Sequence, residues 1–395
     1  MTQTRPTVRI GIVGAGMIGR SHAHAFRALP EFFYPLPATV ELTVVADADA
    51  ALAREAGERY GFGRVARSWE DVVSAPDVDA VCLALPNFQH REAAEAAFAA
   101  GKAVLCEKPL AVTPADAHAM LAAARRSGVV HAVGFNLRRA PAIATIVRAA
   151  AAGDFGEVRH FSGRYLTDYG VSPEVPFTWR YARDLAGGGA LADIGSHVID
   201  LARSLVGEIA SVPGAVLATY VRQRPVPAGH VTGHSRGATT GELREVTNDD
   251  VATFTARFSN GAVGDFRFSR VATGYRNSPA FELIGSRGSV QFDMERAAEF
   301  GLFDGQPDDP MNGFRRVVIG PHHPYFGQVA AFPVTGVGYG YTETYVAQAF
   351  EFVRAVAAGD TSYAPSFEDG ARAMAVCEAV QRSADEGRPV DVALP

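Results

Sequence analysis

Lysine is nearly missing from this chain: two lysines stand against thirty-five arginines in 395 residues. Only Lys102 and Lys108 occur, both inside "GKAVLCEKPLAV". An excess of positive charge is missing too. The formal net charge is −6, whereas a nucleic-acid binder normally shows a basic stripe or face, so no nucleic-acid partner is expected. Apolar runs stay below the ~18 residues that would mark a membrane span. The opening "MTQTRPTVRIGIVGAG" has no signal-peptide core with a cleavage site and reads as a short tail entering a strand. Cysteine is scarce. Cys82, Cys106 and Cys377 are odd in number and form no CxxC pair, which excludes a disulfide framework and a zinc site of that type. A reducing cytoplasm fits. No metal is expected, because His22 and His24 face different sides of one helix and His322 and His323 are merely adjacent.

What is present organises into two parts. Residues 1–135 alternate apolar strands ("VRIGIV", "VELTVVAD", "VDAVCLALP", "KAVLCEKP", "VVHAVGF") with amphipathic helices, the rhythm of a doubly wound parallel sheet with six strands. In residues 136–395 strands dominate from Val158 to about Ile319, with hairpin signals "SNG" and "SRG". One strong helix, "ALADIGSHVIDLARSLVG", interrupts them, and two helices are predicted near 342–358 and 366–386. The expected fold is α/β: a Rossmann domain, then an α+β substrate and oligomerisation domain with a large, mostly antiparallel open sheet, the last helices packing back on the first domain. Segment 224–247 reads as a surface loop.

Gly14, Gly16 and Gly19 form G-x-G-x-x-G between the first strand and first helix. The first glycine permits a tight bend, the second a close approach of pyrophosphate, the third close helix–strand packing. Met17 and Ile18 belong to the same turn. Asp47 ends the second strand, 28 positions after Gly19, the excess being the insertion "PEFFYPLPATV". A carboxylate there suits ribose hydroxyls and repels a 2′-phosphate, which favours NAD over NADP; capping the helix "AALAREA" is the competing role for Asp47.

Lys108 lies at the C-terminal end of the fifth strand, where open α/β sheets bind ligands. Pro109, a residue type that tolerates a cis bond, turns the chain away there. Unlike arginine, lysine acts as a compact charge whose pKa shifts readily. Lys102, after "AAG", reads as a surface cation at a helix end, exchangeable for arginine. On the helix 190–206, Leu191, Ile194, Val198, Leu201 and Leu205 make a core stripe, while Asp193, His197 and Asp200 fall on the other side. Asp193, one turn from His197, is expected to orient that ring and raise its pKa for proton transfer.

"GAGMIGRSHAHAF", "CEKPL" and "GGGALADIGSHVIDLA", in this order and spacing, resemble the Gfo/Idh/MocA family of glucose–fructose oxidoreductase and inositol dehydrogenase relatives. The resemblance spans nearly the whole chain and implies a catalytic trio at Lys108, Asp193 and His197. "LPNFQH" (Leu85, Pro86, Asn87, His90) and "TWR" (Trp179, Arg180) are similar to the family's cofactor-side loops, and Glu107, Lys108 and Asn136 join them as NAD contacts. "FFYPLPA", "YLTDYGVSP", "GPHHPYFG" and "GVGYGYTET" look most like the levoglucosan dehydrogenase branch, which oxidises the C3 hydroxyl of an anhydro-sugar. Substrate contacts are expected from Lys108, Asp193 and His197 with Arg139, Asp168, Tyr169, His323 and Tyr325, which sit in loops bordering the cleft. The resemblance implies a cytoplasmic homo-oligomer, dimer or tetramer, taking a small sugar or polyol. An NAD-dependent glycosidase acting by transient oxidation and elimination remains open, as does a non-catalytic NAD sensor, which would not require proton-transfer groups.

Overall fold

The computed structural model describes residues 5–229, 231, 233, 237–305, 310–329 and 332–395. Among them, the first sheet is wholly parallel. It orders β1 (Thr7–Val13), β2 (Thr39–Ala46), β3 (Arg64–Val65), β4 (Ala80–Leu83), β5 (Ala103–Cys106) and β6 (His131–Val133) as β3-β2-β1-β4-β5-β6. β1, β4 and β5 are apolar and almost entirely buried, as strands covered on both faces must be. The covering helices are α1 (Met17–Phe32), α2 (Ala50–Tyr60), α3 (Trp69–Val73), α4 (Asn87–Ala99) and α5 (Pro114–Ser127). α1 runs past the expected end through Pro30.

The chain then enters α6 (Pro141–Ala151), β7 (Val158–Leu166) and the short α7 (Arg183–Ala186). The long helix of the sequence reading opens as a π turn, Leu191–Gly195, before continuing as α8 (Ser196–Val206). Single π turns recur at functional sites. Next come β8 (Ile209–Ala218), β9 (Gln223–Pro227), β10 (Thr239–Glu245), β11 (Val251–Phe258), β12 (Val263–Ser269), β13 (Ser278–Gly285), β14 (Ser289–Asp293), β15 (Glu299–Phe303) and β16 (Arg315–Val318). α9 (Phe326–Val329), α10 (Tyr341–Ala358), α11 (Phe367–Glu386) and β17 (Val390–Asp391) complete the chain.

The second sheet orders nine strands as β16-β15-β14-β13-β7-β12-β11-β8-β17. Its pairs are antiparallel except β7 with β12. α8 packs on one face of it. The last two helices return to the first sheet. Phe33, in the insertion after α1, stacks on Phe350 of α10 at 3.9 Å. Phe98 of α4 meets Phe367 of α11 edge-on at 5.3 Å. Segment 224–247 is not a plain surface loop: β9 and β10 pair as a hairpin, and Arg224 in β9 is fully buried. Its guanidinium donates to the carbonyls of Gly170 and Ser172 and lies over the Tyr181 ring. The proline- and glycine-rich composition concealed that pairing.

Candidate active site

The glycine turn is shaped by three different constraints. Gly14 has φ of +93°, and a Cβ there would stand 2.3 Å from the Ala84 carbonyl oxygen. A Cβ on Gly19 would fall 1.8 Å from the Gly14 carbonyl oxygen, so helix and turn meet backbone to backbone. Among the described residues, Gly16 has nothing within 4 Å of that position, leaving open space in front of the α1 N-terminus. No acidic side chain occupies the first turn of α1. An anion such as a pyrophosphate fits there without repulsion.

Asp47 closes the other side of the turn. Its carboxylate accepts from the Ala15 and Asp49 amides at 2.6 and 2.8 Å. Asp49, not Asp47, caps α2, accepting from the Ala51 amide. Asp47 is therefore released from the capping role and keeps lone pairs for ribose hydroxyls.

A crevice of about 440 Å³ runs from this turn to Lys108. Gly14, Gly16, Met17, Ile18 and Asp47 line one end, and Leu85, Pro86, Asn87, Glu107 and Lys108 the other. Trp179, Arg180 and Asp193 reach it from the second domain, with the Arg180 guanidinium 4.3 Å over the Trp179 ring. Three of the expected cofactor residues stand behind the lining. Gly19 packs against the turn. His90 is fully buried, its ring nitrogens against the carbonyl oxygens of Leu85, Pro109 and Leu110 at 2.9–3.2 Å. Asn136 is buried too, donating to Thr344 Oγ1 at 2.7 Å.

Sequence reasoning missed Arg67, Ser68, Trp69 and Glu70 at the crevice mouth, and Val231 and Gly233 from the segment between β9 and β10. A two-residue β3 carries too little periodicity to announce the first group. The Ser68 cap on the Asp71 amide, in "SWED", was the one legible sign.

At the inner end, Lys108 Nζ donates to the Asp193 carbonyl oxygen at 2.7 Å and to Asp193 Oδ1 at 3.3 Å. Tyr169 donates its hydroxyl to Asp193 Oδ2 at 2.8 Å. The Lys108–Pro109 peptide is cis. His197 lies on the next turn, buried, its ring 6.0 Å from Phe135 and 6.1 Å from Tyr165. Among the described residues its Nδ1 has no hydrogen-bond partner. Burial and the Lys108 ammonium push the imidazole well below its ordinary pKa, against a smaller opposing pull from Asp193. The expectation that Asp193 raises the His197 pKa is therefore corrected: desolvation outweighs one partly exposed carboxylate, which Lys108 and Tyr169 already engage. The imidazole is thereby held toward its neutral form.

Asp200, the third residue of that side of the helix, lies elsewhere. It is buried away from this centre, paired with Arg138 and 3.8 Å from Arg203. The other expected substrate contacts form separate clusters. Arg139 bonds the Tyr325 hydroxyl at 3.0 Å, and that hydroxyl lies 3.3 Å from Glu351. His323 Nδ1 meets the Gly320 amide at 3.1 Å. Asp168 pairs with exposed Arg276 at 2.8 Å, beside Tyr169. Of these five, Tyr169 alone bonds directly to the Lys108–Asp193 pair in the contacts described.

A glycine-turn crevice that reaches a lysine and a carboxylate, with a buried histidine one helical turn beyond, suits a nicotinamide oxidoreductase, and comparison agrees. The model for an oxidoreductase family with an NAD-binding Rossmann fold matches residues 8–135, and that of the GFO/IDH/MocA C-terminal domain matches residues 143–291. The chain is 40% identical over 387 residues to levoglucosan dehydrogenase of Pseudarthrobacter phenanthrenivorans, covering 98% of each. The chain belongs to the Gfo/Idh/MocA oxidoreductase family. Inositol 2-dehydrogenase of Rhizobium meliloti, also a relative, is 28% identical over 98% of this chain and 100% of its own. A solved levoglucosan dehydrogenase in complex with NADH and levoglucosan superposes with a TM-score of 0.91 at 38% identity, covering 98% of this chain and 100% of that one. The expected architecture, NAD as cofactor and an oxidoreductase activity all stand.

Proposed function

We propose that this Gfo/Idh/MocA enzyme oxidises a ring hydroxyl of a levoglucosan-like anhydro-sugar, at C3, to the ketone. The observation that carries the reading is the Lys108–Asp193 pair lining the crevice, with His197 buried one helical turn beyond Asp193, in a chain so similar to levoglucosan dehydrogenase over its whole length. NAD, when bound, supplies a hydride acceptor. Gly14, Gly16 and the α1 N-terminus would hold its pyrophosphate, and Asp47 its adenosine ribose. Neutral His197 takes the hydroxyl proton as the carbinol C–H bond breaks and the C=O bond forms. Lys108 donates to the same oxygen and stabilises the negative charge that develops on it. Asp193, itself held by Tyr169, orients Lys108 rather than His197. Residues 1–135 act as the cofactor domain and 136–395 as the substrate domain, in a reducing cytoplasm that suits three free, buried cysteines.

Incubation with NAD and a panel of levoglucosan, inositols and glycosides, followed at 340 nm, tests the reading. NADH should accumulate with levoglucosan. Aglycone release without net NADH would make the enzyme a redox glycosidase instead. Because His197 must be neutral and its pKa is depressed, the acid limb of kcat/KM is expected below the ordinary histidine value of 6.5. A limb above that value would remove His197 as the base.

The second sheet also supports assembly. Its face away from α8 forms an open concavity of about 1140 Å³ rimmed by ionic side chains of both signs, among them Arg164, Asp265, Arg267 and Glu282. A second copy of this chain, pairing sheet to sheet, matches that self-complementary charge. Light scattering should give a dimer or tetramer, and a monomeric mass at micromolar concentration would sink the proposal.

A further inference from the structure

The mechanism above leaves one buried ion pair unused, directly behind its lysine. His22, on α1 three residues beyond Gly19, is completely buried and places Nε2 2.8 Å from Glu107 Oε1. The other Glu107 oxygen accepts the Lys108 backbone amide at 3.1 Å. A wall of backbone confines that carboxylate, since a Cβ on Gly134 would stand 2.6 Å from Oε1. Tyr345 of α10 meets the His22 ring edge-on at 5.1 Å.

We propose that His22 is a positioning residue for Lys108: it holds the Glu107 carboxylate, and Glu107 holds the backbone from which the Lys108 side chain reaches Asp193. The physical need is clear. Glu107 lines the crevice next to Lys108, and a carboxylate without its own counter-ion would compete with Asp193 for the lysine ammonium. A cationic His22 removes that competition and leaves Nζ on the Asp193 carbonyl oxygen.

The groups facing the ring are Cys82 from β4, Glu107 after β5 and Tyr345 from α10. Burial disfavours the charged ring, yet Cys82 and Glu107 outweigh it and the pKa is pushed up to about 10. Glu107, 2.8 Å from Nε2, is the carboxylate partner of the ring.

The kinetic test compares His22→Asn, Glu107→Gln and the double variant. Each single change is expected to lower kcat by roughly tenfold or more, a misplaced catalytic group costing up to about a hundredfold. For His22→Asn, sugar KM and the NAD Kd, read by protein fluorescence, should stay within about threefold. The double variant should be no slower than the worse single one. A folded His22→Asn enzyme at wild-type kcat, or losses that multiply in the double variant, would overturn the proposal. Should His22→Asn not fold, Glu107→Gln decides alone: a tenfold loss supports, an unchanged kcat overturns.

A second arm needs no substrate. With a folded-state pKa raised from 6.5 to about 10, the pair's stabilisation is complete below 6.5 and is lost as pH rises through 10. The melting-temperature gap between wild type and His22→Asn should narrow over that window, and a constant gap overturns the charged pair. The kinetic arm rests on the sugar-dehydrogenase reading and the melting arm does not. Absence of turnover in the wild type would therefore sink that reading while the pair is still judged by melting.

Discussion

Lys108→Arg is expected to cut kcat by about a hundredfold or more, the usual size of losing one donor aimed at a developing oxyanion. NAD binding should hold within about threefold. The charge is kept, so a charge effect alone predicts near-normal activity. What changes is shape. The compact ammonium sits 2.7 Å from the Asp193 carbonyl oxygen and 3.3 Å from its carboxylate, and a planar, longer guanidinium cannot occupy that point with the same free donor. Stopped-flow measurement of hydride transfer would isolate the chemical step. Wild-type rates in Lys108→Arg would take the lysine out of the mechanism.

Lys102→Arg is expected to leave kcat per folded molecule unchanged and to destabilise the protein by about 1–3 kcal/mol, the usual cost of overfilling a packed site. That is a fall of a few degrees in Tm. Lys102 is 6% exposed, and its ammonium donates to the carbonyls of Ala75 and Val78 at 2.7 and 2.8 Å. The sequence reading as a replaceable surface charge is therefore corrected. The side chain turns inward to satisfy two carbonyls that end a loop, which an unpaired buried acceptor would otherwise make costly. A scanning-calorimetry trace superimposable on wild type would refute this account. The two variants thus test different roles, a chemical one for Lys108 and a structural one for Lys102.

Where the sequence reading erred, the failures share a cause. Asp200 and Lys102 were judged by position on their own helix or strand, but their partners, Arg138 for the one and the Ala75–Val78 turn for the other, lie 62 and 24–27 residues away. Asp193 was assigned to His197 because four residues separate them. Lys108, 85 residues distant, and Tyr169, 24 residues distant, won the carboxylate instead. Local periodicity names a face of a helix and says nothing about what the fold brings against it.

By itself the sequence determined the parallel first sheet, because alternating apolar strands and helices at that spacing have few other ways to bury their faces. It determined the glycine turn as well, because those three positions leave no room for a side chain or demand open space before a helix end. It also placed Lys108 at a strand end and His197 on a helix as candidates. The tertiary structure alone decided their surroundings. Burial pushed the His197 pKa down, the π turn at Leu191–Gly195 presented Asp193 to Lys108, and α1 set His22 against Glu107. Each depends on desolvation and contact between segments remote in the chain, and those quantities exist only once the chain has folded.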